Sequence, residues 1–278
     1  MPYWRKCKDF AVKIIIWLFS LAALAFLFWI LSDLIIKGLP NITFDYITSE
    51  YNEYKGINGI APMIVTTLWI ISVTLIISGV TGVFAAVYLA EYSRPGPIVS
   101  VIRFALESLT GIPSIIYGLF GYIFFKSILK LGFSILSASL TLAVMVLPFV
   151  IRSTENALRS VNRLYRDGSF ALGATKLYTV MNITLPCAAP RIITVMLLTV
   201  GRIAGETAAV YFTAGTVYRY PEGIMSSGRT LSVHIYMLAK ETGNYDETYA
   251  AALVLVIFIS LIHFIVNTAS RVINAERI

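Results

Sequence analysis

Charged residues are scarce in this chain: Asp, Glu, Lys and Arg make up 13% of its 278 residues, whereas hydrophobic residues make up 58%. Soluble domains usually carry about a quarter charged residues. The composition therefore excludes an ordinary soluble domain and predicts an integral membrane protein. The net charge of +7 fits basic loops beside anionic membrane lipid, and no nucleic-acid partner is expected.

Cysteines and catalytic motifs are also rare. The two cysteines, Cys7 and Cys187, fall in segments predicted to face the cytoplasm, where thiols stay reduced. We therefore expect no disulfide, no metal site and no cofactor. The sequence has no Gly-x4-Gly-Lys-Ser/Thr phosphate loop, so the chain should not hydrolyse ATP itself. The apolar spans hold no cluster of His, Cys or carboxylates, and this favours a protein that is not an enzyme.

Six apolar stretches are long enough to cross a bilayer as helices, which takes roughly 20 residues each. They are approximately 11–36, a part of 56–90, 108–125 (with a start as early as 99), 131–151, 192–218 and 248–270. Backbone polar groups in hydrocarbon must be bonded internally, and the apolar pattern has a helical period. The predicted fold is an all-α bundle of six transmembrane helices, with one membrane domain over 11–270.

Lysine and arginine in the loops predict the orientation. With the N-terminus inside, the inner segments hold 14 of the 22 basic residues and the outer segments hold seven. The terminal segments 1–10 and 271–278 and the loop 152–191 are therefore predicted to be cytoplasmic. The loops 37–60 and 217–249 are predicted to be outside, and the second of them contains His234.

Small residues and proline mark expected packing features of the spans. Gly118, Gly121, Gly201 and Gly205 would let helices approach one another closely, and plain packing is their simplest role. Pro113 and Pro148 each predict a kink or the end of a helix.

The loop 152–191 has a helical pattern of its own. Its segment 167–186 reads DGSFALGATKLYTVMNITLP. Gly173 should break or tightly turn a short helix. The apolar face predicted after this turn consists of Leu177, Val180, Met181, Ile183 and Leu185. Such a face either docks in a groove of another protein or lies on the membrane surface.

Two charges fall inside the fifth span. Arg202 and Glu206 are four residues apart, which on a continuous helix places them on one face. A charge at membrane depth is costly, so each should face a partner, a cavity or a path. The alternative is a mutual ion pair that only locks the bundle. Because arginine presents a planar fork of donors that fits phosphate oxygens, we predict an oxyanion path here.

Further charged residues lie near the ends of spans. Arg103 and Glu107 repeat the four-residue spacing, and we expect a structural ion pair between them. Arg152 marks the inner end of the fourth span, either as a membrane anchor or as a residue at the inner mouth of a path.

Several stretches resemble permease subunits of ATP-binding-cassette importers. Gly173, Ile183, Leu185 and Pro186 have the G-x9-I-x-L-P spacing of the coupling loop in that family. The family loop begins E-A-A, whereas 167–169 reads DGS here. The stretches RFALESLTGIPSIIYGLF (103–120), PFVIRSTENALRSV (148–161) and GRIAGETAAVYFTAG (201–215) resemble the phosphate-specific branch, the PstA/PstC type, and are more similar to the A type.

The resemblance implies a type I importer permease bundle with a cytoplasmic coupling helix, in a prokaryotic cell membrane. It implies a heterodimer with a second permease of the C type, a cytoplasmic ATPase dimer and an extracytoplasmic phosphate-binding protein. Arg202, Glu206 and Arg152 would belong to the translocation path of inorganic phosphate. The residues implied to dock the ATPase are Asp167, Ala171, Gly173, Ala174, Ile183, Leu185 and Pro186.

Two alternatives stay open at this point. A permease for another oxyanion, such as phosphonate, sulfate or molybdate, could share the coupling loop, because one arginine does not discriminate between tetrahedral anions. An ion-driven secondary transporter would need no ATPase-docking loop and commonly has discontinuous helices in paired halves.

Overall fold

The computed structural model describes residues 3–52 and 57–275 and is almost entirely helical. The helices are α1 (Tyr3–Gly38), α2 (Phe44–Thr48), α3 (Ala61–Val87), α4 (Pro97–Thr110), α5 (Ser114–Gly121), α6 (Ile135–Arg159), α7 (Arg163–Ala171), α8 (Lys176–Thr179), α9 (Leu185–Ala204), α10 (Ala208–Ala214), α11 (Leu231–Met237) and α12 (Tyr245–Ala275). A 3-10 turn, Leu39–Asn41, follows α1. Two short strands, β1 (Tyr51–Asn52) and β2 (Ile57–Asn58), pair as an antiparallel hairpin.

Short π-helical stretches continue four of these helices. They are Tyr88–Tyr92 after α3, Tyr122–Ile128 after α5, Val180–Thr184 between α8 and α9, and Leu238–Thr242 after α11.

Five helical stretches in the described part of the chain are long and apolar enough to cross a membrane, and the bent pair α4–α5 makes a sixth if it is counted as one span. The five are Asp9–Asn41, Ala61–Tyr92, Ile135–Arg159, Lys176–Ala204 and Tyr245–Thr268. The predicted all-α membrane fold is confirmed. The first, second, fourth and sixth predicted spans overlap these helices, although residues 1–2, 53–56 and 276–278 of the predicted segments lie outside the described residues.

The third predicted span, 108–125, is wrong as a straight helix, because α4 and α5 meet at 102°. α4 ends at Thr110, and α5 begins after Pro113. Proline lacks an N–H and disfavours helical geometry in the residue before it, which explains the break. The Leu109 carbonyl accepts from the Tyr117 hydroxyl at 2.8 Å as well as from the Ile112 N–H at 3.3 Å. The predicted helix end at Pro113 is confirmed.

The fifth predicted span, 192–218, is wrong at both ends. One helical stretch runs from Lys176 to Ala204, and the chain then leaves the helix for three residues before α10 begins. At this second break the Ser232 hydroxyl donates to the Glu206 carbonyl at 2.8 Å. Residues 215–230 form an irregular segment. The Ser226 carbonyl in this segment accepts a hydrogen bond from the Ile135 N–H at the start of α6, at 2.9 Å.

α5 packs so closely on α10 that a side chain at the contact would not fit. A Cβ on Gly118 would lie 2.9 Å from the Ala209 Cα, and a Cβ on Gly121 would collide with α6. The close approach predicted for these two glycines is confirmed. At Gly201, in contrast, a Cβ would lie 3.8 Å from His263, which is an ordinary contact.

The buried core of the described residues consists of a central cluster and two smaller clusters, one of which joins α2, α3, α11 and α12. The central cluster joins α3, α5, α6, α9, α10 and α11. The second cluster joins α3, α4, α6 and α9 at the end of the bundle that carries the loop 152–191, and we call this the coupling end. α1 packs on α12, and the most apolar part of α1 has no buried residue.

We expect Gly118→Ala to destabilise the protein, because the new methyl group would press on backbone rather than on a flexible side chain. Overpacking of this kind typically costs about 1–3 kcal/mol. Gly201→Ala is the matched control, since it also adds one methyl group inside a helix but meets only an ordinary contact. Thermal unfolding in detergent should show a lower melting temperature for Gly118→Ala alone. Equal melting temperatures would contradict the tight α5–α10 contact.

Candidate translocation and coupling sites

The turn at Gly173 separates α7 from the helix that follows. Gly173 has φ +82°, in the left-handed region that glycine adopts without steric cost. Its N–H donates to the Phe170 carbonyl at 2.9 Å, and the N–H of Ala174 donates to the Ser169 carbonyl at 3.1 Å. These bonds close the end of α7 in the manner of a glycine C-cap. The predicted turn at Gly173 is confirmed.

A buried hydrogen bond joins the two sides of this turn. The Ser169 and Thr179 hydroxyl oxygens are 2.8 Å apart, and both side chains are buried. Thr175 caps the second helix by accepting from the N–H of Tyr178 at 3.3 Å. Ser169 occupies the position where the importer loop has its second alanine. Sequence reasoning therefore missed a contact between α7 and α8 that this serine makes.

The loop 152–191, which we call the coupling loop, exposes apolar side chains around an open cavity with a volume of about 590 Å³. This cavity is lined by Ser169, Leu172, Gly173, Ala174, Thr175, Tyr178 and Ile183. Leu172 is 91% exposed, which is unusual for a leucine in a polar loop. Exposed apolar patches of this kind commonly mark contacts with other proteins or with lipid.

The predicted apolar face is only partly correct. Leu177 and Met181 are exposed, but Val180 is buried, while Ile183 and Leu185 are partly buried. The reason is that one side of the α8 helix and its π-helical continuation packs against α7. The exposed apolar surface of the loop instead includes α7 and the turn, with Leu164, Tyr165, Phe170 and Leu172. Of the remaining predicted docking residues, Asp167 and Ala171 are exposed and Pro186 is partly buried.

Arg166 attaches α7 to the coupling end of the bundle. Its guanidinium lies 2.9 Å from the carboxylate of Glu91, at the end of α3. It also donates to the Leu158 carbonyl of α6 at 2.7 Å. Both charged side chains are largely buried, with exposed fractions of 17% and 9%. The loop is therefore fixed to two long helices of the bundle.

The predicted ion pair between Arg103 and Glu107 is wrong. Arg103 instead reaches Glu155 of α6 at 2.6 Å, and Glu107 faces Arg152 at 3.6 Å. α4 packs on α6, so these side chains find partners across the helix contact rather than along α4. Glu155 also accepts from Arg159 at 2.9 Å. Arg152 thus belongs to a network of charges at the coupling end.

The prediction that Arg202 and Glu206 share one helix face is also wrong. α9 ends at Ala204, so Glu206 lies in the break before α10. Among the described residues, no carboxylate lies within 4.0 Å of the Arg202 guanidinium. Arg202 is exposed and lies two residues before the end of α9, at the break before α10. α10 in turn packs closely on α5, which begins after the other break. In the described part of the chain, Arg202 has no ion-pair partner.

The three predicted path residues lie in two layers of the bundle. Arg152 follows Ile151, which packs in the cluster at the coupling end together with Ala188. Arg202 precedes Ile203, which belongs to the central cluster, and the Glu206 N–H donates to the Ile203 carbonyl at 3.1 Å. Ala188 and Ile203 are separated by about 22 Å along α9, at 1.5 Å per residue. A shared path would have to connect these layers, and the path assignment stays a prediction.

His234, predicted to be in an outer loop, is fully buried in α11, outside the candidate membrane spans. One of its ring nitrogens lies 3.3 Å from the Arg229 guanidinium, and its ring contacts the edge of Tyr51. Burial, together with the positive charge of Arg229, lowers the pKa of His234 to about 3. The imidazole is therefore neutral at physiological pH.

The family described as "Binding-protein-dependent transport system inner membrane component" matches residues 80–277. The chain belongs to this family. It is a multi-pass membrane permease subunit of ATP-binding-cassette importers, in which a partner ATPase hydrolyses ATP.

Curated relatives support the same assignment. A probable ABC transporter permease protein, YqgI of Bacillus subtilis, is 34% identical and covers 84% of this chain and 83% of its own length. The phosphate transport system permease protein PstA of Yersinia pestis is 32% identical over 99% of this chain and 92% of its own. PstA of Haemophilus influenzae is 34% identical over 76% of this chain and 75% of its own.

Solved importer structures share the fold. A chain of a bacterial alginate ABC transporter, in complex with an alginate-bound periplasmic protein, matches with TM-score 0.72 and 18% identity, covering 98% of both chains. A chain of the inward-facing MetNI methionine ABC transporter matches with TM-score 0.62 and 24% identity, covering 77% of this chain and 95% of its own.

The buried His234 generates a pH prediction. Because its pKa falls from 6.5 to about 3 on folding, the unfolded chain binds the proton first as the pH is lowered. The contribution of neutral His234 to the free energy of unfolding is therefore fully present above pH 6.5. It is lost as the pH falls from 6.5 to 3, by up to about 1.4 kcal/mol per pH unit. His234→Gln should flatten the fall in melting temperature between pH 6.5 and 4.5. An unchanged pH dependence in His234→Gln would exclude His234 as its source.

Proposed function

We propose that this chain is the A-type permease subunit of an ATP-driven importer of inorganic phosphate. In this proposal it forms half of the translocation path, and a C-type permease forms the other half. A cytoplasmic ATPase dimer supplies the energy, and an extracytoplasmic phosphate-binding protein delivers the anion. Both termini of the chain and the coupling end are cytoplasmic.

The observation that carries the phosphate assignment is the exposed Arg202 at the break before α10. The other break, at Pro113, precedes α5, and α5 packs closely on α10. Non-helical backbone is tolerated at membrane depth where it is buried in protein or lines a water-filled cavity. The first break is bordered by Gly111 and Pro113, which are exposed. A guanidinium at such a place suits a tetrahedral oxyanion, because its donors match two oxygens at once. The relatives named as phosphate permeases favour phosphate among such anions.

The coupling loop supports the ATPase part of the proposal. Its exposed apolar side chains surround the open cavity at Gly173, and a cavity of this shape suits a docking partner. Arg166 and the Ser169–Thr179 bond fix the loop to the bundle. Closure of the ATPase dimer would then move α7 and the following helix together and open the path outward. Docking through Asp167, Ala171, Gly173, Ala174, Ile183, Leu185 and Pro186 is part of this proposal.

The substrate can be tested by uptake of labelled phosphate in cells that lack this chain. We expect the native chain to restore uptake and Arg202→Ala to reduce it below about a tenth, because hydrogen bonds to charged groups contribute roughly 1.5–3 kcal/mol. Arg191→Ala, which removes an exposed arginine at the other end of the same helix, is the control and should transport normally. Each variant is compared at equal levels of assembled complex.

Competition identifies the anion. Phosphate uptake through the native chain should be insensitive to excess sulfate, molybdate or phosphonate. Strong inhibition by one of these anions would reassign the substrate to that oxyanion. Normal uptake by Arg202→Ala would remove Arg202 from the path.

The turn at Gly173 can be tested against a matched glycine. A Cβ would meet nothing within 4 Å at either Gly173 or Gly168, but only Gly173 has a positive φ. Gly173→Ala should therefore strain the turn by about 1 kcal/mol and weaken ATPase binding about fivefold, whereas Gly168→Ala should not. Titration of the detergent-solubilised permease pair with the ATPase measures this difference. Equal affinities for the two variants would show that the turn does not control docking.

A further inference from the structure

Three arginines converge on one cavity at the coupling end. The cavity has a volume of about 300 Å³ and is lined by Arg103, Arg152, Glu155, Asn156 and Arg159. The first arginine comes from α4 and the other two from α6. Their side chains are 43%, 39% and 49% exposed, so they border the cavity without being enclosed by protein.

The carboxylates near this cavity do not balance its positive charge. Three guanidinium groups face Glu155 and Glu107, which leaves a net positive charge. Glu155 is only 9% exposed, and one of its oxygens, Oε1, serves both Arg103 and Arg159. The Arg152–Glu107 separation of 3.6 Å is too long for a hydrogen bond.

Many of the arginine donors remain available. Each guanidinium carries five N–H groups in a planar fork. The buried Nε of Arg103 has no hydrogen-bond partner in the described part of the chain. This nitrogen has almost no accessible surface, so the donors that an oxyanion in the cavity would meet are the exposed N–H groups of the three guanidinium forks. Asn156, which is exposed, adds a neutral polar group at the rim.

We propose that this cavity is a binding site for a phosphate group. Arg103, Arg159 and Arg152 would donate to its oxygens, and Glu155 would hold the first two arginines in position. This goes beyond the proposed transport function, because a phosphate group can occupy the cavity whether or not Arg202 carries phosphate through the membrane. The site lies in a different layer from Arg202, on the coupling-end cluster.

Two sources offer the same chemistry. One is inorganic phosphate at the coupling end, and the other is the phosphodiester of an anionic lipid. The experiment therefore uses the complete transporter complex in nanodiscs of phosphatidylcholine, without ATP and without binding protein. Every sample carries Arg202→Ala, which removes the arginine on which the proposed phosphate assignment rests, so that failure of this inference and failure of the proposed function can be told apart.

The measurement is the melting temperature as inorganic phosphate is added. Phosphate should raise it, because a ligand that binds only the folded state stabilises that state. Arg159→Gln keeps the Arg103–Glu155 pair and should raise the apparent dissociation constant about tenfold or more, as expected for the loss of a hydrogen bond to a charged group. Arg191→Gln, which borders a different cavity, should leave it unchanged. If Arg159→Gln does not assemble, Arg103→Lys tests the same site, since lysine keeps the charge but loses the fork.

A second series replaces part of the phosphatidylcholine by phosphatidylglycerol. If the lipid is the occupant, phosphatidylglycerol will raise the melting temperature of the reference complex but not that of Arg159→Gln, and added phosphate will have little effect. Either pattern supports the site and identifies its source. If neither phosphate nor phosphatidylglycerol distinguishes Arg159→Gln or Arg103→Lys from Arg191→Gln, the cavity does not bind a phosphate group.

Discussion

The close contact between α5 and α10 is the constraint on which the central bundle depends. Gly118 leaves no room for a side chain there, so the two short helices lie backbone to backbone. This contact brings the break before α5 next to the break before α10. Hydrocarbon cannot satisfy backbone groups left without partners at such breaks. A nearby hydroxyl donates to a backbone carbonyl at each break, Tyr117 to Leu109 at the first and Ser232 to Glu206 at the second. Packing and hydrogen bonding therefore maintain the breaks together.

The sequence was sufficient for the long helices but not for the breaks. Apolar length predicts α1, α3, α6 and α12, because a run of uncharged residues has few alternatives in a membrane. Composition does not distinguish a straight helix from two halves at a large angle, and the third and fifth spans were therefore misjudged. Pro113 signals the first break directly. Gly205 is a weaker signal for the second, because glycine is tolerated inside membrane helices as well as at their ends.

The spacing of residues along the chain predicts the turn at Gly173, but it does not predict the ion pairs at the coupling end. Gly173 is recognisable because the chain must reverse between two short helices. The partners of Arg103 and Glu107 could not be read from a four-residue spacing, since both residues turn towards α6. The same spacing failed for Arg202 because the helix ends two residues later. The sequence shows only that Ser169 differs from the alanine of the family loop. Its hydrogen bond to Thr179 depends on the tertiary fold.

One helical stretch, from Lys176 to Ala204, connects the loop 152–191 with Arg202. Its 29 residues correspond to a length of about 43 Å at 1.5 Å per residue. Thr179, near one end, is held by α7, and Arg202 lies near the other. If this stretch tilts by about 5° around one end, the other end moves by about 4 Å at this length. A small change of angle beside the Ser169–Thr179 bond would therefore carry the Arg202 guanidinium farther than the length of a hydrogen bond.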